Sequence, residues 1–493
     1  MIQNLGYRGL LNDNAALAAQ LAATGLSPTA CQSKAALFAK VAAALLADGQ
    51  ASATAHPVAF FVPGRIEVLG KHTDYAGGCS LVTAAERGFC LVAVPREDSQ
   101  VRVIDAQLGE SAQFEIDPQL TTTVGHWSNY PRTTVRRLAR NFPDARRGAT
   151  LALASDLPPA AGMSSSSAFM VSIFLALEAV NNLPASALYR DNIHELTDLA
   201  GYLGTVENGQ TFGTLVGDRG VGTFGGSEDH TAMLCGRPGM VSQYAYRPVR
   251  FERALSVPAG YCFAVGSSGV VAEKTGAARD KYNRVSQLIV TIEELWADKT
   301  GGSRQPLAAV LAGSPAAAEQ VSELLKTAAT EKFDSAALLT RFQHFLGENQ
   351  RIIPAASDAL ARGDIEAFGR AVDQSQQGAE ELLGNQVPET CHLAAAARKL
   401  GAAAASAFGA GFGGSVWALV HTAQADAFLA AWSESYRQRF PSTPPPAPSS
   451  PQPPAPGRFG CADRPFGRRR PHARPGQPHF RLHRPLGQPS GMR

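Results

Sequence analysis

Leucines and valines at helical spacing open the chain, with Leu10, Leu17 and Leu21 followed by Leu37, Val41 and Leu45 across the break Gly25-Leu26-Ser27-Pro28. They predict two amphipathic helices within residues 8–50. The period then changes. Ala59–Val62 is a short β-rich run, Ser80–Val94 and Val101–Phe114 alternate as strands do, and Leu151–Ala154 reads as a further strand. Phe169–Val180 is apolar on every side, the pattern of a helix buried all round. A helix is expected from Trp127 through Val135 and Leu138, its Arg136, Arg137 and Arg140 forming a solvated face. Asp191 is placed to cap another, whose apolar positions Ile193, Leu196, Ala200 and Leu203 lead to Glu207-Asn208. Val241–Tyr246 and Cys262–Val265 read as strands, a long helical region begins at Lys281-Tyr282-Asn283-Arg284, and residues 305–400 are nearly all helical by periodicity.

Length adds that one core is too few: 493 residues imply two or three domains. No basic segment followed by an apolar stretch opens the chain, and its longest apolar run, near Ala168–Val180, is shorter than the ~20 residues of a membrane span, so a cytoplasmic location without membrane partners is expected. The seven cysteines include no C-x-x-C pair and no zinc spacing, and read as reduced, buried thiols. Net charge is +3, but residues 441–493 hold nine Arg against Asp463 alone, which leaves residues 1–440 mildly acidic. That balance argues against a nucleic-acid surface on the folded part. The same tail holds 15 of the 32 prolines and is expected to be disordered; the abrupt change after Phe440 has the character of an out-of-frame reading of a GC-rich gene.

Three stretches carry candidate chemistry. Leu157–Ala168 joins two prolines and a glycine to four serines, Ser164–Ser167, at the start of the buried helix, where free N–H groups and the positive end of the helix dipole suit a phosphate. Pro63–Gly78 crowds Arg65, Lys71, His72 and Asp74 into extended chain and a tight turn, a mixture of donors and acceptors suited to a polyhydroxylated ligand; its spacing does not match a Walker loop. Gly409–Ser415 matches G-x-G-x-x-G but leads into the strand Val416–Val420 rather than a helix, which excludes a dinucleotide fingerprint. Between them, Gly222–His230 is a flexible turn delivering Glu228, Asp229 and His230.

Together these segments resemble the galactokinase branch of the GHMP kinase superfamily. Pro63–Gly78 is similar to the signature P-G-R-x-x-x-x-G-E-H-x-D-Y-x-G-G, Leu157–Ala168 to the phosphate loop P-x-G-x-G-L-S-S-S-A, and Gly409–Ser415 to G-x-G-F-G-G; Glu207-Asn208, Gly225–His230 and Tyr282–Arg284 match shorter motifs in the same order. The resemblance implies an α+β, two-domain GHMP kinase fold, with an N-terminal domain of the ribosomal protein S5 domain 2 type and a ferredoxin-like C-terminal domain. The divisions expected are a helical extension over 1–50, an ATP- and sugar-binding domain over 51–225, a C-terminal domain over 226–440 and the tail over 441–493. It implies ATP and Mg²⁺, with Ser166 and Glu207 holding the metal, the loop Pro159, Ala160, Ala161, Gly162, Met163, Ser164, Ser165 and Ser166 cradling phosphates, and Trp127 beside the adenine. Asp229 would accept the sugar hydroxyl proton with Arg65 offsetting charge, and Lys71, His72, Asp74 and Tyr282 would hold the sugar. Lys71 stands where the family has Glu, Ala160 where it has Gly, and Glu228 and His230 where it has Met and Gln. The expected reaction is phosphorylation of galactose at its anomeric hydroxyl by a monomer or weak homodimer, with Lys71 turned to solvent or paired with Glu67 or Glu228. Uronic acids or other hexoses, and a non-catalytic sugar sensor, are the alternatives.

Overall fold

The computed structural model describes residues 13–49, 57–123, 125–158, 162–270, 276–328 and 330–441. Pro159, Ala160, Ala161, Cys461 and the expected tail from residue 442 onward lie outside them. In chain order the elements are α1 (Asn14–Ala22), α2 (Pro28–Asp48), β1 (Val58–Leu69), β2 (Cys79–Pro95), β3 (Gln100–Asp105), β4 (Ser111–Glu115), α3 (Asn129–Asn141), β5 (Ala149–Ser155), α4 (Ser165–Val180), α5 (Ala187–Asn192), α6 (Leu196–Asn208), α7 (Glu228–Cys235), β6 (Met240–Ala245), β7 (Arg250–Ser256) and β8 (Tyr261–Ser267). There follow α8 (Gly276–Thr300), α9 (Leu307–Ala312), α10 (Ala317–Thr327), α11 (Ser335–Gly347), α12 (Ile353–Ala361), α13 (Ile365–Gly378), α14 (Pro388–Lys399), β9 (Ala404–Phe408), β10 (Ser415–His421) and α15 (Ala425–Arg439).

The expected α+β character takes the form of two sheets, one of seven strands ordered β4-β3-β5-β2-β6-β7 with β1 on β2, and one of three ordered β8-β10-β9. β2 organises the first. Along one edge it pairs with β1; along the other, Phe89–Pro95 pairs with β5 while Cys79–Val82 pairs with β6. Strand periodicity then sends Ala59 and Phe61 to one face and Phe60 and Val62 to the other. On the first face Phe38, Val41 and Leu45 of α2 cover Phe61, Val92 and Ala152; on the second, α4 packs Phe169, Ile173 and Leu177 among Phe60, Leu91 and Leu151. α2 is long and apolar enough to cross a membrane by length and composition, but here it packs on the sheet.

Several expectations need correction. The first sheet does not stop at 225: β6 and β7 return to the edge of β2 that β5 leaves free, so the division expected between 225 and 226 falls inside one layer. Asp191 belongs to α5, and α6 starts instead at a capping box of Glu195 and Asp198. Arg136 and Arg137 are not a solvated face; they are buried, Arg136 bound to Asp218 at 2.7 Å and Arg137 to the Gln210 carbonyl at 2.7 Å. They pin the loop that follows Glu207, because a buried guanidinium needs acceptors and loop carbonyls supply them. The glycine run does lead into a strand as expected: Gly409–Gly414 is the turn of the antiparallel hairpin β9–β10.

Candidate active site

The site forms where the end of β1, the first turns of α4 and α7, and the β9–β10 turn converge. Gly70 ends β1 at φ +109°, where a Cβ would lie 2.4 Å from the Ser80 Cβ, so only glycine lets the chain turn here. The turn that follows brings His72 and Asp74 to the pocket, whose wall also includes Arg65, Glu67, Tyr75, Glu207, Asn208, Gly225, Gly226, Glu228, Asp229, His230, Tyr282, Gly409 and Ala410.

Arg65 and Asp229 meet directly, Nε donating to Oδ1 at 2.8 Å, and a second guanidinium nitrogen donates to the Gly162 carbonyl at 2.5 Å. Burial works against the arginine's charge, yet Asp229, Glu67 and Glu228 outweigh it and hold its pKa above the usual value. The other oxygen of Asp229 faces Ser167 Oγ at 3.3 Å, and that hydroxyl is 2.7 Å from Glu207 Oε2. The serine run thus reaches the two expected acidic residues through Ser167, three residues after the helix-capping Ser164. Ser166 is half-buried and makes no side-chain hydrogen bond among the described residues. Ser164 itself sits in left-handed conformation (φ 57°), and the first intrahelical bond of α4 is Ala168 N to Ser164 O, which leaves the N–H groups of Ser165–Ser167 without helical acceptors.

Asp74 accepts from the Tyr75 and Glu228 N–H groups at 2.8 and 3.2 Å, tying the sugar-motif turn to the start of α7. A Cβ on Gly226 would sit 2.3 Å from Asp74 Oδ2, which explains a glycine there. The turn ahead of α7 is held by Asn208, donating to the Gly225 carbonyl at 2.7 Å, and by Asn283, which accepts from the Phe224 N–H at 3.0 Å and donates to the Gly222 carbonyl at 3.1 Å. Tyr282 stands over Gly225 and lies 5.3 Å from the His72 ring, centroid to centroid. His72 Nε2 is 3.1 Å from the Ala410 carbonyl and must carry the proton, while Nδ1 takes the Tyr75 hydroxyl at 3.1 Å. Arg341, unnoticed in the sequence because its partners are about 270 residues away, clasps this turn by donating to the His72 carbonyl and the Tyr75 hydroxyl.

Lys71 turns neither to the sugar pocket nor to solvent, and of the expected carboxylates its charge acts on Glu67. It is 1% exposed and lies outside the pocket wall, its ammonium donating to Ser375 Oγ at 3.1 Å and Ser406 Oγ at 2.8 Å. Neither a sugar contact nor an excursion to solvent fits that position. Trp127 is half-buried and stacks on Phe169 of α4 at 6.2 Å.

Glu67 and Glu228 form a buried acidic pair that the sequence did not single out as a unit. Burial, only partly offset by Arg65 and Lys71, pushes Glu67 up to about 7; burial together with repulsion from Glu67 and Asp74 raises Glu228 well above the carboxylate range. The fold keeps the Glu67 proton to higher pH than an unfolded chain would, so the Glu67 contribution to stability is fully present below pH 4.5 and is lost as pH rises to about 7, and Glu228 adds a loss of the same sign. Glu67 accounts for up to about 3 kcal/mol of that loss. Glu67→Gln should flatten the decline between pH 5 and 8 in urea unfolding; the same decline in both proteins would contradict this origin.

Three family profiles match in order: "Galactokinase galactose-binding signature" over residues 50–95, "GHMP kinases N terminal domain" over 129–213 and "GHMP kinases C terminal" over 356–438. A galactokinase of Glaesserella parasuis serovar 5 (strain SH0165) is 27% identical over 77% of this chain and 89% of its own length, and one of Roseiflexus sp. (strain RS-1) is 29% identical over 77% and 88%. Among solved structures, Lactococcus lactis galactokinase complexed with galactose is similar in fold, with a TM-score of 0.67 at 23% identity over 82% of this chain and 95% of that one. Both GHMP kinase domain profiles and the galactokinase sugar signature thus match in register along one chain, and the curated relatives and the solved structure that resemble it over most of its length are galactokinases.

Proposed function

We propose that the protein is an ATP-dependent sugar kinase that transfers the γ-phosphoryl group of ATP to the anomeric hydroxyl of galactose. The observation that carries this reading is the bridge at Ser167, which puts Asp229, Glu207 and the N-terminal turn of α4 within hydrogen-bond reach of one hydroxyl. Phosphoryl transfer needs those three components together: a group oriented on the acceptor hydroxyl, an oxygen ligand for a divalent cation, and donors for the phosphates.

In this reading Asp229 accepts the sugar hydroxyl proton on Oδ2 while Arg65 holds Oδ1 and offsets the charge that develops on the attacking oxygen. The N–H groups of Ser165–Ser167 and the dipole of α4 receive the phosphates, with Trp127 beside the adenine. His72, Asp74 and Tyr282 shape the sugar pocket.

The donor set fits Mg²⁺. Among the described residues no group of three or more His, Cys, Asp or Glu could hold a metal, and Mg²⁺ is commonly held by one or two carboxylates plus substrate phosphates. Glu207 of α6 and Ser166 of α4 would hold the ion, whose role is to neutralise phosphate charge. Glu207→Gln should raise the Mg²⁺ concentration for half-maximal activity by at least about tenfold, the lower end of the effect of disturbing even outer contacts of a metal. An unchanged Mg²⁺ titration would place the ion elsewhere.

The buried position of Lys71 and the acidic wall weaken the uronic-acid alternative, and the presence of both Asp229 and the serine run weakens the sensor alternative. We further propose a cytoplasmic enzyme, monomeric or weakly dimeric. ATP consumption across aldoses and uronic acids, with the phosphate position read by NMR, tests the assignment: galactose 1-phosphate as product supports it, and phosphorylation of another hydroxyl or of no sugar overturns it.

A further inference from the structure

Three backbone groups of the turn that carries His72, Asp74 and Tyr75 into the pocket are held by one helical stretch about 270 residues further along the chain. At the start of the turn the Gly70 N–H donates to Glu348 Oε1 at 3.0 Å, and at its end the Cys79 N–H donates to Asn349 Oδ1 at 2.7 Å. Between them the His72 carbonyl accepts from Arg341, which also donates to the Tyr75 hydroxyl at 3.1 Å. Arg341 lies in α11, and Glu348 and Asn349 open the π-helical turn Glu348–Ile352 that joins α11 to α12. Such turns are rare inside helices and recur at functional sites. Arg341 and Glu348 are buried, Asn349 is half-buried, and none of the three lines the pocket.

Bonds within the turn, such as Thr73 N–H to the Gly70 carbonyl at 3.2 Å and Gly78 N–H to the Thr73 carbonyl at 3.0 Å, set its shape. Its placement is left to contacts from outside. We propose that Arg341, Glu348 and Asn349 are positioning residues for the sugar: they grip the turn at its start, middle and end and so fix where His72 and Asp74 stand, without touching the ligand. This deepens the kinase reading and rests on it for the identity of the ligand. Glu348 Oε1 also accepts from Ser375 Oγ at 2.8 Å, and that hydroxyl in turn accepts from Lys71, so the buried lysine steadies the grip from the other side. A ligand that binds one arrangement of the turn loses apparent affinity in proportion as that arrangement is depopulated. Loosening the grip therefore acts on the sugar. The N–H groups that would receive the phosphates belong to α4, to which none of the three residues is hydrogen-bonded among the described residues, so ATP is spared.

The test compares kcat and the separate KM values for galactose and ATP in the parent protein, in Glu348→Met and Asn349→Leu, and in the conservative Glu348→Gln and Asn349→Asp. Met and Leu remove the acceptor at similar size, whereas Gln and Asp keep an oxygen for each backbone N–H. The galactose KM should rise by about fivefold or more in Glu348→Met and Asn349→Leu, the lower end of what a donor left without its acceptor costs, with the ATP KM within about twofold of the parent. Both conservative variants should keep the parent's galactose KM. Loss of folded enzyme alone lowers kcat and moves neither KM, so that result, or an equal rise in both KM values, would overturn the inference while leaving the kinase reading intact. If Glu348→Met does not fold, Asn349→Leu, at a half-buried position, decides alone. If the parent phosphorylates no sugar, the kinase reading falls, and calorimetric titration with galactose still decides: a dissociation constant raised in Asn349→Leu and restored in Asn349→Asp supports the positioning role, and one constant for all three, or no binding by the parent, removes it.

Discussion

Asp229→Asn should lower turnover by about 10²–10⁴ while leaving sugar affinity within a few-fold, the range expected when one general base is lost. The substitution is well suited to the geometry. An asparagine Oδ1 can keep the 2.8 Å bond from Arg65, and its amide nitrogen can donate to Ser167 Oγ, which remains free to donate to Glu207. What disappears is the capacity to take a proton. The loss should therefore appear in kcat with KM nearly unchanged, and a calorimetric sugar titration should match that of the parent. Turnover near the parent value would remove Asp229 from the role of base; an equal collapse of sugar binding would make it a substrate anchor instead.

Lys71→Glu restores the residue type that the resembled signature carries, yet it should destabilise the protein by about 3–5 kcal/mol, the cost of breaking buried ionic contacts from one side. Lys71 Nζ donates to Ser375 and Ser406, and Ser375 in turn donates to Glu348 Oε1 at 2.8 Å, an oxygen that also receives the Gly70 N–H at 3.0 Å. A carboxylate at 71 would leave Glu67 without one of the two cations that favour its charge and would bring a third acid toward Glu67 and Glu348. Denaturant unfolding measures the loss directly. A stable Lys71→Glu protein with altered sugar preference would show that the side chain can face the pocket after all.

The site motifs were legible because glycine and serine punctuation is local: Gly70, Gly162 and Gly226 have conformations or close neighbours that few other residues tolerate, and the serine run marks the start of α4, with Ser164 at its N-cap position. The direction of Lys71 was not, since its partners Ser375 and Ser406 lie more than 300 residues away. Arg136 and Arg137 failed for a related reason. Helical spacing shows which positions share a face but not whether that face meets water or a loop returning with Asp218 and free carbonyls. Ser167 was passed over within a run of four equivalent letters, and only the approach of α6 and α7 distinguishes it from Ser166. The placement of β6 against β2 depends on an edge that β5 leaves open, which no local pattern encodes.

The contacts between the end of β1 and the β9–β10 turn set a schedule for synthesis. Glu67 with Gly409, Lys71 with Ser406 and His72 with Ala410 join residues 342, 335 and 338 positions apart. At ribosomal rates of about 5–20 residues per second, tens of seconds separate the emergence of the two sides. During that interval the first sheet can form, but the charges of Glu67 and Lys71 remain uncovered and keep their hydration. The nascent first half therefore cannot hold a finished sugar pocket, and ligand binding becomes possible only once the last hairpin is in place.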